Sequence, residues 1–393
     1  MRSTQASLVV IFAAAVAAPF VSELLKRFSV PPVLFEILLG IVVGPQLLGW
    51  AEADDFVTGI STFGLAFLMF FAGYEVDMAR VRGAPIRLAA LGWVISLALG
   101  LLVILPFVLE GLVVSDLLVG LALTTTAIGT LLPMMNDQGI THTRFGSYLL
   151  AAGSVGEFAP IVAITLLFSG DQPFHEGVLL VAFVLAAIGV AVLATRPQPP
   201  GLLEIMRRHL YTSSQLPVRI ALALLAVMIW LAFELGLDTL LGAFVAGMIL
   251  RLLLTRNRVE QLESKLAAVG YGVFIPVFFV VTGITFDLDA LLESPSALAR
   301  VPVFLVLFLV VRGLPVYFVS RGALDPLERR ALALLTSTAL PLVVVITTIG
   351  LETGRMHVEN ATALVSAAML SVLVYPLLGF ALARRSLRRS GES

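Results

Sequence analysis

The sequence predicts an all-α polytopic membrane protein of thirteen transmembrane helices, with the N-terminus outside and the C-terminus inside. It reads as two inverted six-helix repeats whose fifth and twelfth helices are broken. Three observations predict this. First, 59% of the 393 residues are hydrophobic and only 13% charged, about half the charge of a soluble domain. Second, apolar runs near the roughly 20 residues a spanning helix needs recur along the chain. Third, the basic residues lie almost entirely on one side of those runs. The short alternating segments of a membrane barrel are not visible.

Runs bounded by charge, Pro or Gly give spans at 6–26, 32–50, 57–76, 86–109, 113–134, 142–169, 175–195, 216–235, 238–255, 264–285, 299–320, 327–350 and 361–384. The first could be mistaken for a signal peptide. Its positive charges follow the apolar stretch, and no A-x-A site precedes a polar start, so it reads as a spanning helix. Span 7 links the repeats. After it comes 196–216, "RPQPPGLLEIMRRHLYTSSQL", Pro-rich and then amphipathic, which reads as an inner-surface segment. The organisation is then 6–195 for the first repeat with its linking helix, 216–384 for the second, and a short cytoplasmic tail at 385–393.

The charge bias fixes orientation. With the N-terminus outside, 21 of the 25 Lys and Arg residues face inward. Three face outward (Arg2, Arg300 and Arg355), and one, Arg312, falls inside a span. That bias in short loops is a strong positive-inside signal, and adding or losing one span would scramble it; the expected location is the cell's inner (plasma) membrane.

Helix 5 contains "LALTTTAIG" (121–129) and helix 12 contains "LALLTSTALP" (332–341). Thr124, Thr125 and Thr126 parallel Thr336, Ser337 and Thr338, and Gly129 parallels Pro341. Each stretch is fifth in its block, and the two helices enter from opposite sides. Gly and Pro weaken a spanning helix, while Thr and Ser hydroxyls satisfy the freed backbone groups. Corresponding polar breaks in inverted halves point to midplane ends that coordinate ions; the simpler reading is that hydroxyls glue helices together.

Glu157 lies mid-span in 142–169 and Arg312 mid-span in 299–320. A charge at the bilayer centre costs at least about 2.5–3.5 kcal/mol on insertion scales, so each needs a partner, and they are natural candidates for one another. Either they form a structural ion pair, or Glu157 also binds a proton or an alkali cation. Arg312, which does not readily lose its proton, would be the counter-charge. Glu36, near the inner end of helix 2, reads either as lining an inner funnel or as an interfacial acid. The four histidines fall outside mid-span, which argues against a histidine proton wire. No Ser-His-Asp set, P-loop or transition-metal cluster is visible, so neither an enzyme nor a cofactor is expected. Without cysteines there are no disulfides or thiolate sites. A net charge of −1 gives no sign of nucleic acid.

Four stretches in order carry a resemblance: "VPPVLFEILLGIVVGPQLLGW", "FGLAFLMFFAGYEVDMARVR", "LLGAFVAGMIL" and "FIPVFFVVTGITFDL". Together with thirteen spans they resemble the monovalent cation:proton antiporter-2 family over about 6–384. The resemblance implies crossed broken helices in a core domain that moves against a dimerisation domain, hence a homodimer. It also implies that Glu157 is the transport carboxylate, that Arg312 is the basic residue before the second broken helix, and that Thr125, Thr126 and Ser154 offer oxygen ligands to Na⁺ or K⁺. Two departures stand out. Many members carry Asp-Asp or Asn-Asp where this chain has Gly156-Glu157, and Gly-Glu-Phe where it has Ala339-Leu340-Pro341. One acid with a non-titrating Arg favours electroneutral Na⁺/H⁺ exchange. The alternatives are K⁺/H⁺ exchange, a potassium-efflux-type pathway with its nucleotide-binding domain on a separate subunit, and a sodium-coupled symporter of an organic anion.

Overall fold

A computed structural model describes residues 3–25, 31–75, 83–109, 116–168, 179, 182–183, 185–190, 192, 214–237, 239–257 and 260–390. All named elements are helical. Nine described helices are long and apolar enough to cross a membrane, and three shorter apolar ones accompany them. Every predicted span except 175–195 falls on a described helix. Most of that span, and of the 196–216 linker, lies outside the described residues.

In order the helices are α1 (Thr4–Leu24), α2 (Pro32–Val43), α3 (Asp55–Glu75), α4 (Ala84–Leu109), α5 (Asp116–Leu123), α6 (Ile128–Asp137) and α7 (Arg144–Phe168). Then follow α8 (Leu216–Glu234), α9 (Thr239–Asn257), α10 (Glu260–Val269) and α11 (Ile275–Ile284). The last are α12 (Leu288–Leu292), α13 (Pro295–Leu307), α14 (Leu314–Val319), α15 (Pro326–Thr336), α16 (Pro341–Glu352) and α17 (Val358–Ser390). Five-residue-step turns at Gly270–Phe274 and Phe308–Gly313 join α10 to α11 and α13 to α14 without a break.

Local sequence sets several ends. Pro32 opens α2, and Gly44, extended ahead of Pro45, closes it well short of the predicted residue 50 because a residue before proline is pushed out of the helical region. Asp325 and Glu328 form a capping box at α15, with Pro326 in the first turn. Ser294 caps α13 ahead of Pro295. At the other end α17 runs on to Ser390 through what the sequence suggested was a tail. Arg384 and Arg385 lead into that extension, and basic residues suit a helix C-terminus.

The chain divides into two compact units. One comprises Asp55–Asp77 and Ile161–Phe278. Within it α3 and α9 meet at backbone contact: a β-carbon at Gly73 would overlap the Phe244 carbonyl, and one at Gly247 the Phe70 carbonyl. Small residues allow this approach, the usual device where lipid supplies no hydrophobic drive. Phe67 stacks on Phe274, with ring centroids 5.2 Å apart. Tyr74 donates to Glu263 at 2.7 Å beneath the Arg251 guanidinium.

The other unit comprises Met1–Asp54, Met78–Pro160 and Phe279–Ser393. Its core is built from α6, α7, α15 and α17 around Leu131, Phe145, Leu149, Leu335 and Phe380. In the same unit α2 packs on α11 in the same direction, Gly40 against Val280 and Gly44 against Ile284.

Candidate functional site

The two polar stretches do break their helices. Helix leaves off at Leu123 and resumes at Ile128; it leaves off again at Thr336 and resumes at Pro341. Each break strands carbonyls at the end of the incoming half-helix. The hydroxyls take them up. Thr124 Oγ1 donates to the Leu121 carbonyl and Thr125 Oγ1 to that of Ala122, both at 2.8 Å. In the second break Thr336 Oγ1 donates to Leu332 at 2.8 Å and Ser337 Oγ to Ala333 at 2.7 Å. This is why Thr and Ser, rather than apolar residues, precede each break.

The breaks are bonded to each other. Ala127 N–H donates to the Thr338 carbonyl at 2.7 Å, and Thr126 Oγ1 donates to the Thr336 carbonyl at 2.6 Å. Their register differs by one residue from the sequence repeat, because Pro341 starts α16 whereas Gly129 falls one residue inside α6. Proline suits a first helical position, where no N–H is needed. Ser371 of α17 holds the second break from behind: its Oγ accepts from Ala339 N–H at 3.0 Å and lies 2.9 Å from the Ala339 carbonyl. Nothing in the repeat pointed to Ser371; the only signal was a hydroxyl in an apolar run.

The third wall is α7. Gly153 leaves room for Ile128, whose side chain would lie 2.6 Å from a β-carbon there. Pro160 has no N–H to give to the carbonyl four residues back, that of Gly156. Thr126 N–H takes that place, donating to the Gly156 carbonyl at 3.1 Å. Glu157 follows, one turn beyond Gly153 on the same helix face and only 3% exposed.

Arg312 enters from the turn Phe308–Gly313. A helix widened by one residue re-aims its side chains and recurs at functional sites. Here Leu314 N–H reaches back to the Leu309 carbonyl, and Gly313 lies against the end of α15, where a β-carbon would come within 2.8 Å of Ser337 Oγ. The guanidinium is fully buried. Nε donates to Thr126 Oγ1 at 2.9 Å, and Nη2 to the Ala152 carbonyl at 2.6 Å. These anchors are neutral oxygens. Nη1 and Thr338 Oγ1 are buried without a hydrogen-bond partner among the described residues.

Thr126, Gly156, Arg312, Thr336 and Thr338 are thus one bonded cluster, with Glu157 next in the chain to Gly156. Thr125 and Ser154 are buried within the same unit. Glu36 belongs to α2 and is also buried. The cluster gathers hydroxyl and carbonyl oxygens and a fixed cation where two helices are unwound, and a buried carboxyl, that of Glu157, follows Gly156 in the chain. Hard oxygen ligands of this kind suit an alkali cation or a proton. Among the described residues no group of three or more His, Asp or Glu could hold a metal ion.

The transmembrane family described as sodium/hydrogen exchanger matches residues 11–385. YjbQ of Bacillus subtilis is 29% identical across 96% of this chain, which spans 62% of the length of YjbQ. The Na⁺/H⁺-K⁺ antiporter GerN of Bacillus cereus is 28% identical over 67% of this chain and 68% of its own. The structure of the sodium proton antiporter MjNhaP1 from Methanocaldococcus jannaschii superposes with a TM-score of 0.69 over 96% of both chains at 18% identity, a likeness of fold.

Proposed function

The chain belongs to the sodium/hydrogen exchanger family, a family of multi-pass membrane transporters rather than enzymes, and on that premise we propose that it exchanges Na⁺ for H⁺ one for one at Glu157. The observation that carries this is a buried carboxyl beside the crossing of two broken helices that also anchors a buried guanidinium. The charge arithmetic follows. With Arg312 fixed as a cation, an ionised Glu157 brings the pair to zero. Binding H⁺ or Na⁺ brings it to the same +1 in either case. A carboxylate holding one or the other, never both, therefore exchanges them without moving net charge. Thr125, Thr126 and Ser154 supply further oxygens to the cation. Alternating access of the elevator kind, a homodimer, the cell's inner (plasma) membrane and thirteen spans from an outside N-terminus complete the reading.

K⁺ is the second candidate cation. It is favoured by the similarity to GerN, whose name includes K⁺. Competition between the two ions in proteoliposomes decides between them.

The deciding experiment is Glu157→Gln in everted vesicles. Loss of pH-dependent cation exchange is expected, and retained exchange overturns the reading. Uptake that builds a membrane potential would overturn the one-for-one stoichiometry alone.

A further inference from the structure

Glu36 is the one acid on α2, four residues beyond Pro32, or roughly 6 Å along the axis. It is 5% exposed, and its Oε2 is sealed from solvent with no hydrogen-bond partner among the described residues. It shares a helix face with Gly40, one turn on. That face is packed backbone to backbone. A β-carbon at Gly40 would overlap the Val280 carbonyl, one at Gly283 would overlap the Ile37 carbonyl, and one at Gly44 would come within 3.1 Å of Ile284 Cα. A seam made of backbone cannot admit water by turning a side chain aside; the helices themselves must part.

The charged surroundings are sparse. α11 contributes no ionisable residue from 279 to 284. α1, packed against α2, contributes Glu23, exposed at its end. α17 contributes Glu359 at its start, Tyr375, whose hydroxyl donates to the Leu305 carbonyl, and Arg384 and Arg385 toward its end. A bare carboxylate in such a place costs several kcal/mol, whereas a carboxyl that keeps its proton needs no counter-ion.

We infer that Glu36 is a second reversible proton site, separate from Glu157. It holds its proton while the Gly40–Gly283 seam is closed and releases it when the seam opens to the side of the membrane where α2 begins. The site binds H⁺ and adds nothing to the transported charge. It stands on the packing of α2 rather than on the reading of Glu157.

The first test is infrared difference spectroscopy of the purified protein across pH, wild type against Glu36→Gln. A protonated-carboxyl band that is absent from the variant and fades as pH rises is expected; Glu36→Asp should retain a fading band. Superimposable wild-type and variant spectra, or a band unchanged wherever the protein stays folded, overturn the proposal. The second test uses the absence of native cysteine. Maleimide labelling of Ile37→Cys should rise more steeply with pH with Glu36 than with Glu36→Gln. Equal slopes would mean that the seam does not respond to Glu36. Neither measurement reads exchange through Glu157, so failure of that activity leaves both outcomes interpretable.

Discussion

Nη2 of Arg312 lies 2.6 Å from where the β-carbon of any larger residue at position 156 would sit. Thr126 Oγ1 lies equally close to that point. Gly156 is therefore the space into which the guanidinium packs, and the missing side chain and the buried cation are one feature. Gly156→Ala should destabilise the protein by about 1–3 kcal/mol through overpacking, seen as a lower melting temperature. Combined with Arg312→Ala it should cost less than the two changes summed, since neighbours that share a clash do not add. Simple additivity would mean that the methyl is accommodated without touching Arg312.

Arg312→Ala removes two hydrogen bonds to neutral oxygens and leaves a cavity in the crossing. Hydrogen bonds to a charged group are worth about 1.5–3 kcal/mol each, so the melting temperature should fall markedly, and further than exchange does. Arg312→Lys should not restore it, because an ammonium lacks the planar fork that reaches Thr126 and Ala152 together. Exchange abolished with an unchanged melting temperature would assign Arg312 a purely transport role.

Replacing Pro160 should help stability and hurt exchange. In a helix interior proline costs about 3 kcal/mol relative to alanine, so Pro160→Ala would ordinarily stabilise. Here the new N–H competes with Thr126 for the Gly156 carbonyl. The expected outcome is a higher melting temperature with slower exchange, as the first break is no longer strapped to α7. Unchanged exchange would show that the strap is dispensable.

Much of this was legible in the sequence because membrane burial is an expensive constraint. The Thr-Thr-Thr and Thr-Ser-Thr stretches marked both breaks, since only hydroxyls can take up carbonyls stranded away from water. Glu157 and Arg312 stood out because mid-span charges are rare. The rest was hidden for a physical reason. The turn at Phe308–Gly313, the role of Ser371 and the Arg312–Gly156 fit depend on which backbones approach one another across the fold, and no local periodicity encodes that. Proline two residues after each widened turn, Pro276 and Pro315, was the nearest available signal.

The same distinction separates two glycines that look alike in the sequence. Gly40 in α2 and Gly59 in α3 each lie inside an apolar helix. A β-carbon at Gly40 overlaps the Val280 carbonyl, whereas one at Gly59 meets nothing within 4 Å. Gly59→Ala should therefore stabilise by about 0.5–1 kcal/mol through reduced backbone freedom. Gly40→Ala should force α2 and α11 apart and destabilise by about 1–3 kcal/mol, as overpacking does. Melting temperatures of the two variants, measured side by side in one detergent, should move in opposite directions. A shared sign would mean that the α2–α11 seam has more slack than backbone contact allows.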